Sequence, residues 1–162
     1  MINLFFSPNP EIYKKWKEKI DKMYKPDLFT NPKNLSEQDH KNQIINGYYI
    51  QELTGNWFKD NLPDIPVTIN LSIGKDKYDT DKYDILIGDC FTIDVKTSKA
   101  IRNDYKKTDA VVVVKRTIDG YKIQGYWITK ELNRFDSSGV YLIPKERLKP
   151  IKSLIMKLKK WK

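Results

Sequence analysis

Apolar positions along the chain switch between two periods, and the switches divide it into helices and strands. From Asn9 to Met23 the residues Ile12, Trp16, Ile20 and Met23 recur at three- and four-residue spacing, the stripe of one helix face. Asn9 supplies a cap, Pro10 suits the first helical position, and Pro26 follows the end. Lys25 to Leu35 contains two prolines and reads as a loop. Ser36, with Asp39 three residues on, forms a capping-box-like start to a second helix that is expected to reach about Asp60. Its apolar positions are Ile44, Ile45, Tyr48, Tyr49, Leu53 and Trp57, while Gly47 and Gly55 weaken it and permit close packing.

Strand patterns follow. Val67, Ile69, Leu71 and Ile73 alternate with polar or small residues. Tyr83 to Ser98 reads as two short apolar strands joined by a tight turn at Gly88-Asp89. Ala110 to Val114 is a continuous apolar run, the pattern of a strand buried on both faces, and Asp119-Gly120 turns it into another strand over Tyr121 to Ile128. A short helical piece around Lys130 to Arg134, a strand at Val140 to Ile143 and a basic helix from Pro150 complete the order. The expectation is one α/β domain over residues 1–162, with a mixed β-sheet, an antiparallel hairpin and flanking helices.

Composition narrows the class. With 162 residues, 40% hydrophobic and 31% charged, the chain has the balance of a folded globular protein. No apolar run approaches the roughly 20 residues of a membrane span. The start, Met1 to Phe6, lacks the basic segment of a signal peptide. A single cysteine, Cys90, excludes an internal disulfide and suits a reducing, cytoplasmic setting; it reads as a small residue near the turn.

Charge is unevenly spread. Of the net +9, +7 falls between Lys145 and Lys162. Such a concentration suits a polyanionic partner, which makes Lys149, Lys152, Lys157, Lys159 and Lys160 candidate nucleic-acid contacts. The plainer alternative is a solvated helix face. A membrane-surface helix is a third reading, because Ile151, Leu154, Ile155 and Leu158 lie opposite the lysines, although in one domain that stripe is expected on the core.

The hairpin carries the chemistry. Asp84 opens its first strand and Asp94-Val95-Lys96 closes its second. Acid-x-Lys recurs at Asp39-His40-Lys41 and Asp104-Tyr105-Lys106, but only in a strand do residues two apart share a face. Asp94 and Lys96 are therefore expected to project together, with Val95 opposite. Glu52 lies four residues after Tyr48 and three after Tyr49, on the side of the second helix expected to face the sheet. A carboxylate there is costly unless paired or bound to a cation; the bland alternative is that it reaches water or a lysine at the stripe's edge.

A helix-borne Glu, an Asp opening a strand and Asp-x-Lys on the next strand resemble the PD-(D/E)XK nucleases, a superfamily of restriction endonucleases, junction resolvases and phage or repair exonucleases. The resemblance covers about Ser36 to Ile128. It implies a restriction-endonuclease-like core and a metal-dependent nuclease acting on DNA, an endonuclease or a junction- or structure-selective enzyme of phage, restriction or repair type. Tyr83 stands where the motif has proline, and Gly125 to Leu132 resembles the late strand and short helix of small members. By position, the resemblance makes Glu52, Asp84, Asp94 and Lys96 the catalytic set. Asp84, Asp94 and the Val95 carbonyl would hold Mg²⁺, with Mn²⁺ substituting. Glu52 would take a second metal or orient a water, and Lys96 would position water or stabilise the transition state. Cleavage in the superfamily usually leaves a 5′-phosphate, a homodimer is one way to place two sites on two strands, and a viral or mobile-element origin fits the same resemblance.

Other residues receive plainer readings. Asp76, Asp79 and Asp81 lack the glycine and terminal Glu of a calcium loop and read as a solvated loop. Asp89 is turn chemistry, and Thr97 and Ser98 either end a strand or touch phosphate. Some RNA-cleaving relatives, such as viral cap-snatching endonucleases, carry a metal-binding histidine on a preceding helix. His40, about 18 Å upstream of Glu52 along one helix, is instead expected to be a surface histidine. Trp16, Tyr24 and Trp161 are either exposed aromatics or core. The competing functions are an RNA-cleaving endonuclease of the same superfamily, a non-catalytic DNA-binding or assembly protein, and a membrane-associated or protein-binding module.

Overall fold

Side-chain caps start both long helices where the pattern places them. In the computed structural model, which describes residues 1–29, 31, 33–73, 83–97, 100–102, 108–131 and 140–161, Asn9 Oδ1 accepts from the Ile12 amide at 3.1 Å and opens α1 (Pro10–Met23). Ser36 Oγ accepts from the Asp39 amide at 3.2 Å and donates to Asp39 Oδ2 at 2.8 Å, opening α2 (Glu37–Asn61). Each cap satisfies amides that have no partner within their own helix.

Six strands form one mixed sheet. They are β1 (Phe5–Phe6), β2 (Val67–Ile69), β3 (Ile85–Ile87), β4 (Phe91–Lys96), β6 (Ala110–Thr117) and β7 (Gly120–Ile128), in the order β1-β7-β6-β4-β3-β2. All neighbours are antiparallel except β4 and β6. β5 (Ala100–Arg102) and β8 (Val140–Leu142) form a separate antiparallel pair, and α3 (Ile151–Lys159) follows.

The run Ala110 to Val114 is the centre of the sheet, no more than 1% exposed at any position. Period-two geometry divides it. Ala110, Val112 and Val114 face the main core, where Trp16 and Ile20 of α1, Phe58 of α2 and the α3 stripe of Ile151, Leu154, Ile155 and Leu158 meet Ile85, Ile87 and Ile93. Val111 and Val113 face the other way, under Ile143, Trp127 and Leu148. The α3 stripe thus packs on the core, and no described helix is long and apolar enough to cross a membrane.

Several local expectations change. The strand expected through Ile73 stops at Ile69, because Asn70 spends its side chain on local bonds to Ser72 N, Ser72 Oγ and the Tyr83 carbonyl. Leu71 and Ile73 still rest on the core. The helical piece near Lys130 is a single 3₁₀ turn, Thr129–Glu131; Arg134 lies outside the described residues. Strands β1 and β5 were not foreseen: two or three residues are too short to show a period. The segments holding Asp76, Asp79, Asp81, Ser98, Asp104 and Lys106 also lie outside the described residues.

Gly125 fixes how the C-terminal segment reaches the sheet. Its φ is +153°, and a Cβ there would lie 2.6 Å from the Lys149 carbonyl oxygen. Beside it, Tyr126 and Lys149 exchange backbone hydrogen bonds at 3.0 and 2.9 Å, holding the chain just ahead of α3 against β7. Gly125→Ala is expected to cost about 2–3 kcal/mol through backbone strain and overpacking, read as a lower urea midpoint at unchanged slope.

Candidate active site

β3 and β4 pair with Ile85 opposite Ile93 and Ile87 opposite Phe91, and Gly88 turns at φ +60°. Asp84 and Asp94 lie just beyond the Ile85–Ile93 pair, at the open end of the hairpin. Asp84 does not extend the ladder regularly. Its amide donates to the Ile93 carbonyl at 3.0 Å, and its Oδ2 accepts from the Val95 amide at 2.7 Å. A side chain thus takes the place of the next backbone acceptor. The Ile93 carbonyl and the Val95 amide both point toward β3, and alternation along the strand turns the Val95 carbonyl to that side as well.

β4 keeps strand geometry through Lys96, so Asp94 and Lys96 share a face and Val95 joins the helix-side core. Asp94 pairs in register with Val111 and is 8% exposed. Asp84, Val95 and the end of β4 at Lys96 line a cleft of about 280 Å³ whose helix wall is Ile44, Tyr48 and Gln51, while Asp94 faces the other side of the sheet with Val111.

α2 presents Gln51 to this cleft, not Glu52. The Gln51 amide is buried and donates to the carbonyls of Asn70 and Asp84, the latter at 3.3 Å. Asn70 N–H donates to the same Asp84 carbonyl at 2.8 Å. The end of β2 and the start of β3 are thereby tied to the helix around the backbone that carries Asp84. Glu52 turns to α1: Lys15 Nζ donates to its two oxygens at 2.5 and 2.7 Å, and Trp16 Nε1 donates at 2.6 Å. This is the bland reading of Glu52, a carboxylate at the stripe's edge that reaches a lysine. The signal for Gln51 was present in the spacing of Ile44, Tyr48 and Gln51, but Ile45, Tyr49 and Glu52 make an equally good stripe one residue on.

One further expectation is corrected, and an open one is decided. His40 is not a surface histidine: it is 3% exposed, with Nδ1 2.8 Å from the Tyr24 hydroxyl and its ring edge-on to Tyr24 and Phe29. The loop after α1 folds back over the start of α2 and covers it. Trp16 is core, stacked on Tyr48, whereas Trp161 is 57% exposed and meets Phe91 edge-on.

The basic C-terminus lies away from the two aspartates. Trp161 touches Phe91 at the turn end of β4, about 17 Å from Lys96 by strand rise. Lys152, Lys157, Lys159 and Lys160 are exposed, while Lys149 pairs with Glu131 at 2.7 Å. Asp89 and Cys90 are exposed in the hairpin turn at that same far end, and Thr97 is exposed just past β4. Among the described residues no three His, Cys, Asp or Glu side chains form a metal-sized cluster. The oxygen groups at this end of the hairpin are the Asp84 carboxylate, the Val95 carbonyl and, on the other face of β4, the Asp94 carboxylate, the kinds of ligand that Mg²⁺ takes.

Glu52→Ala is expected to lower unfolding stability by about 2 kcal/mol, since it leaves the buried Trp16 indole N–H without an acceptor. Glu52→Gln retains an acceptor and is expected to cost about half as much, both read by urea denaturation. Comparison with protein-family models, curated proteins and solved structures finds no match for this chain.

Proposed function

We propose that this chain is a metal-dependent nuclease of the PD-(D/E)XK type, hydrolysing phosphodiester bonds of DNA at the open end of the β3–β4 hairpin. The observation that carries the reading is the Asp84 carboxylate, pinned to the Val95 amide at 2.7 Å in the cleft that ends at Lys96, with Asp94 next to Val95 on the facing strand. A hairpin whose second strand runs parallel to its next neighbour is also the kind of mixed sheet that the restriction-endonuclease-like resemblance implies.

Asp84, Asp94 and the Val95 carbonyl are the residues that would hold Mg²⁺ or Mn²⁺. The ion, when bound, supplies acidification of a water and neutralisation of charge growing on the phosphate. Lys96, two residues from Asp94 on the same face, offers an ammonium to hold the attacking water or a non-bridging phosphate oxygen. The Asp84–Val95 bond fixes one carboxylate before substrate arrives, so little reorganisation is left for the reaction. Gln51 is a positioning residue that acts through the Asp84 backbone. Glu52 is left out of the chemistry because Lys15 and Trp16 already engage it. His40, shut beneath Tyr24 and Phe29, gives no support to a histidine-dependent RNA-cleaving variant.

Purified protein is expected to cut DNA in Mg²⁺ or Mn²⁺ and to lose that activity in EDTA. Asp94→Ala and Lys96→Ala are each expected to reduce the rate at least about 10²-fold, Gln51→Ala several-fold, and Glu52→Gln less than about threefold. Cleavage that survives both Asp94→Ala and Lys96→Ala would sink the site. RNA assayed alongside tests the choice of nucleic acid.

A further inference from the structure

α2 separates two clefts. Ile44, Tyr48 and Gln51 line the one that holds Asp84, while Asn42, Asn46 and Tyr49, at i, i+4 and i+7, line another on the far side of the helix. This second cleft, about 430 Å³, is closed by Tyr13 of α1 and by Arg116 and Tyr121 of the β6–β7 hairpin. It is large enough for a small ligand or one unit of a polymer.

Its polar groups have little else to do. Among the described residues the Arg116 guanidinium, the Asn46 amide and the hydroxyls of Tyr13 and Tyr121 have no hydrogen bond or ion pair. Asn42 accepts from Gln38 through Oδ1 at 3.0 Å, which leaves its NH₂ to donate. The Tyr49 hydroxyl is occupied, accepting from the Asn9 amide at 2.7 Å. Tyr121 is only 7% exposed, yet the buried side-chain polar atom without a partner among the described residues is Trp127 Nε1. Tyr121 lines this cleft and also the neighbouring hollow beside Phe5 and Phe6. Burial, with Tyr49 adding to it, holds its pKa above the usual 10.0, so it is a neutral donor.

The cleft opens at the Lys96 end of the sheet. Val113 lies beside Lys96, and Arg116 is three residues further along β6, about 10 Å by strand rise. Only α2, about 10 Å across, separates it from the Asp84 cleft. A single guanidinium matches the single charge of a phosphodiester, whereas a phosphomonoester carries nearly two. Side-chain amides offer both donor and acceptor to a base edge, and phenol rings offer a stacking face. An amide lying inside a cleft reaches a base edge only when the base is out of a duplex.

We propose that this second cleft is a nucleotide subsite, holding one unpaired nucleotide of a single strand, with Arg116 on the phosphodiester, Asn42 and Asn46 on the base edge and Tyr13 against the ring. Its link to cleavage rests on the nuclease reading; the binding itself does not.

The test is equilibrium binding of a short fluorescein-labelled single strand, and of the same sequence as a duplex, to the full chain without divalent metal. Arg116→Ala and Asn46→Asp are each expected to weaken single-strand binding about tenfold and duplex binding less than about twofold, while Lys152→Ala on α3 affects both forms alike. Absence of single-strand binding by the wild type, or wild-type affinity in both cleft variants, overturns the subsite. Equal losses for single strand and duplex overturn it as well. Displacement by an equal concentration of a free deoxynucleoside monophosphate would assign the cleft to free nucleotides, against the proposal. Single-strand binding that depends on Arg116, in a protein with no cleavage activity, keeps the subsite and removes the nuclease reading. Asp94-dependent cleavage with unchanged binding in the cleft variants does the reverse.

Discussion

β4 is held from both sides, and that double pairing sets the rest of the molecule. On one side it zips antiparallel to β3, and on the other it runs parallel to β6, whose Ala110–Val114 run is fully buried. Two registers on one strand leave it no freedom to slip, because a shift of one residue would move Ile93 out of the core and bring charged side chains into it. With the register fixed, Ile93 and Val95 must face the helices, and Asp94 and Lys96 must face away together. The candidate chemistry is therefore a consequence of where the apolar residues of β4 and β6 have to go.

The same constraint explains the Asp84 arrangement. β3 begins only at Ile85, so the Val95 amide of the longer β4 would face the sheet without a backbone acceptor. The Asp84 carboxylate accepts that bond, and the Gln51 amide steadies the carbonyl of the same residue from α2. One strand ending earlier than its partner thus creates a place for a polar side chain within the sheet. A buried or half-buried carboxylate is tolerable there because the amide it meets has no other partner.

Cations are divided by the fold in a way composition does not disclose. The lysines of α3 lie toward the turn end of the hairpin, anchored by a stripe that must pack on the core. Among the described residues at the opposite end, Lys96 borders the Asp84 cleft and Arg116 lies across α2 among tyrosines and asparagines. Phosphate attraction over the C-terminal helix and contact near the hairpin would act on different stretches of a bound strand. General attraction and positioning are therefore separable contributions in this fold.

Much of the architecture was legible in the residues themselves. Caps at Asn9 and Ser36, the turn at Asp119-Gly120 and the unbroken apolar run of β6 are local signals, and the local chemistry that creates them also forms them in the chain. The shared face of Asp94 and Lys96 was legible too, since strand parity needs no knowledge of neighbours. Tertiary structure decided what local pattern leaves degenerate. Adjacent apolar pairs in α2 let either Gln51 or Glu52 face the sheet, and only the docking of α1, which brings Lys15 and Trp16 to Glu52, chose between them. His40 looked exposed because the loop that buries it arrives from sixteen residues away. Arg116 carried no motif at all. It acquires a setting only because a parallel step from β4 to β6 brings the β6–β7 turn to the same end of the sheet as the hairpin acids, and such long-range pairing is invisible to any short window of sequence.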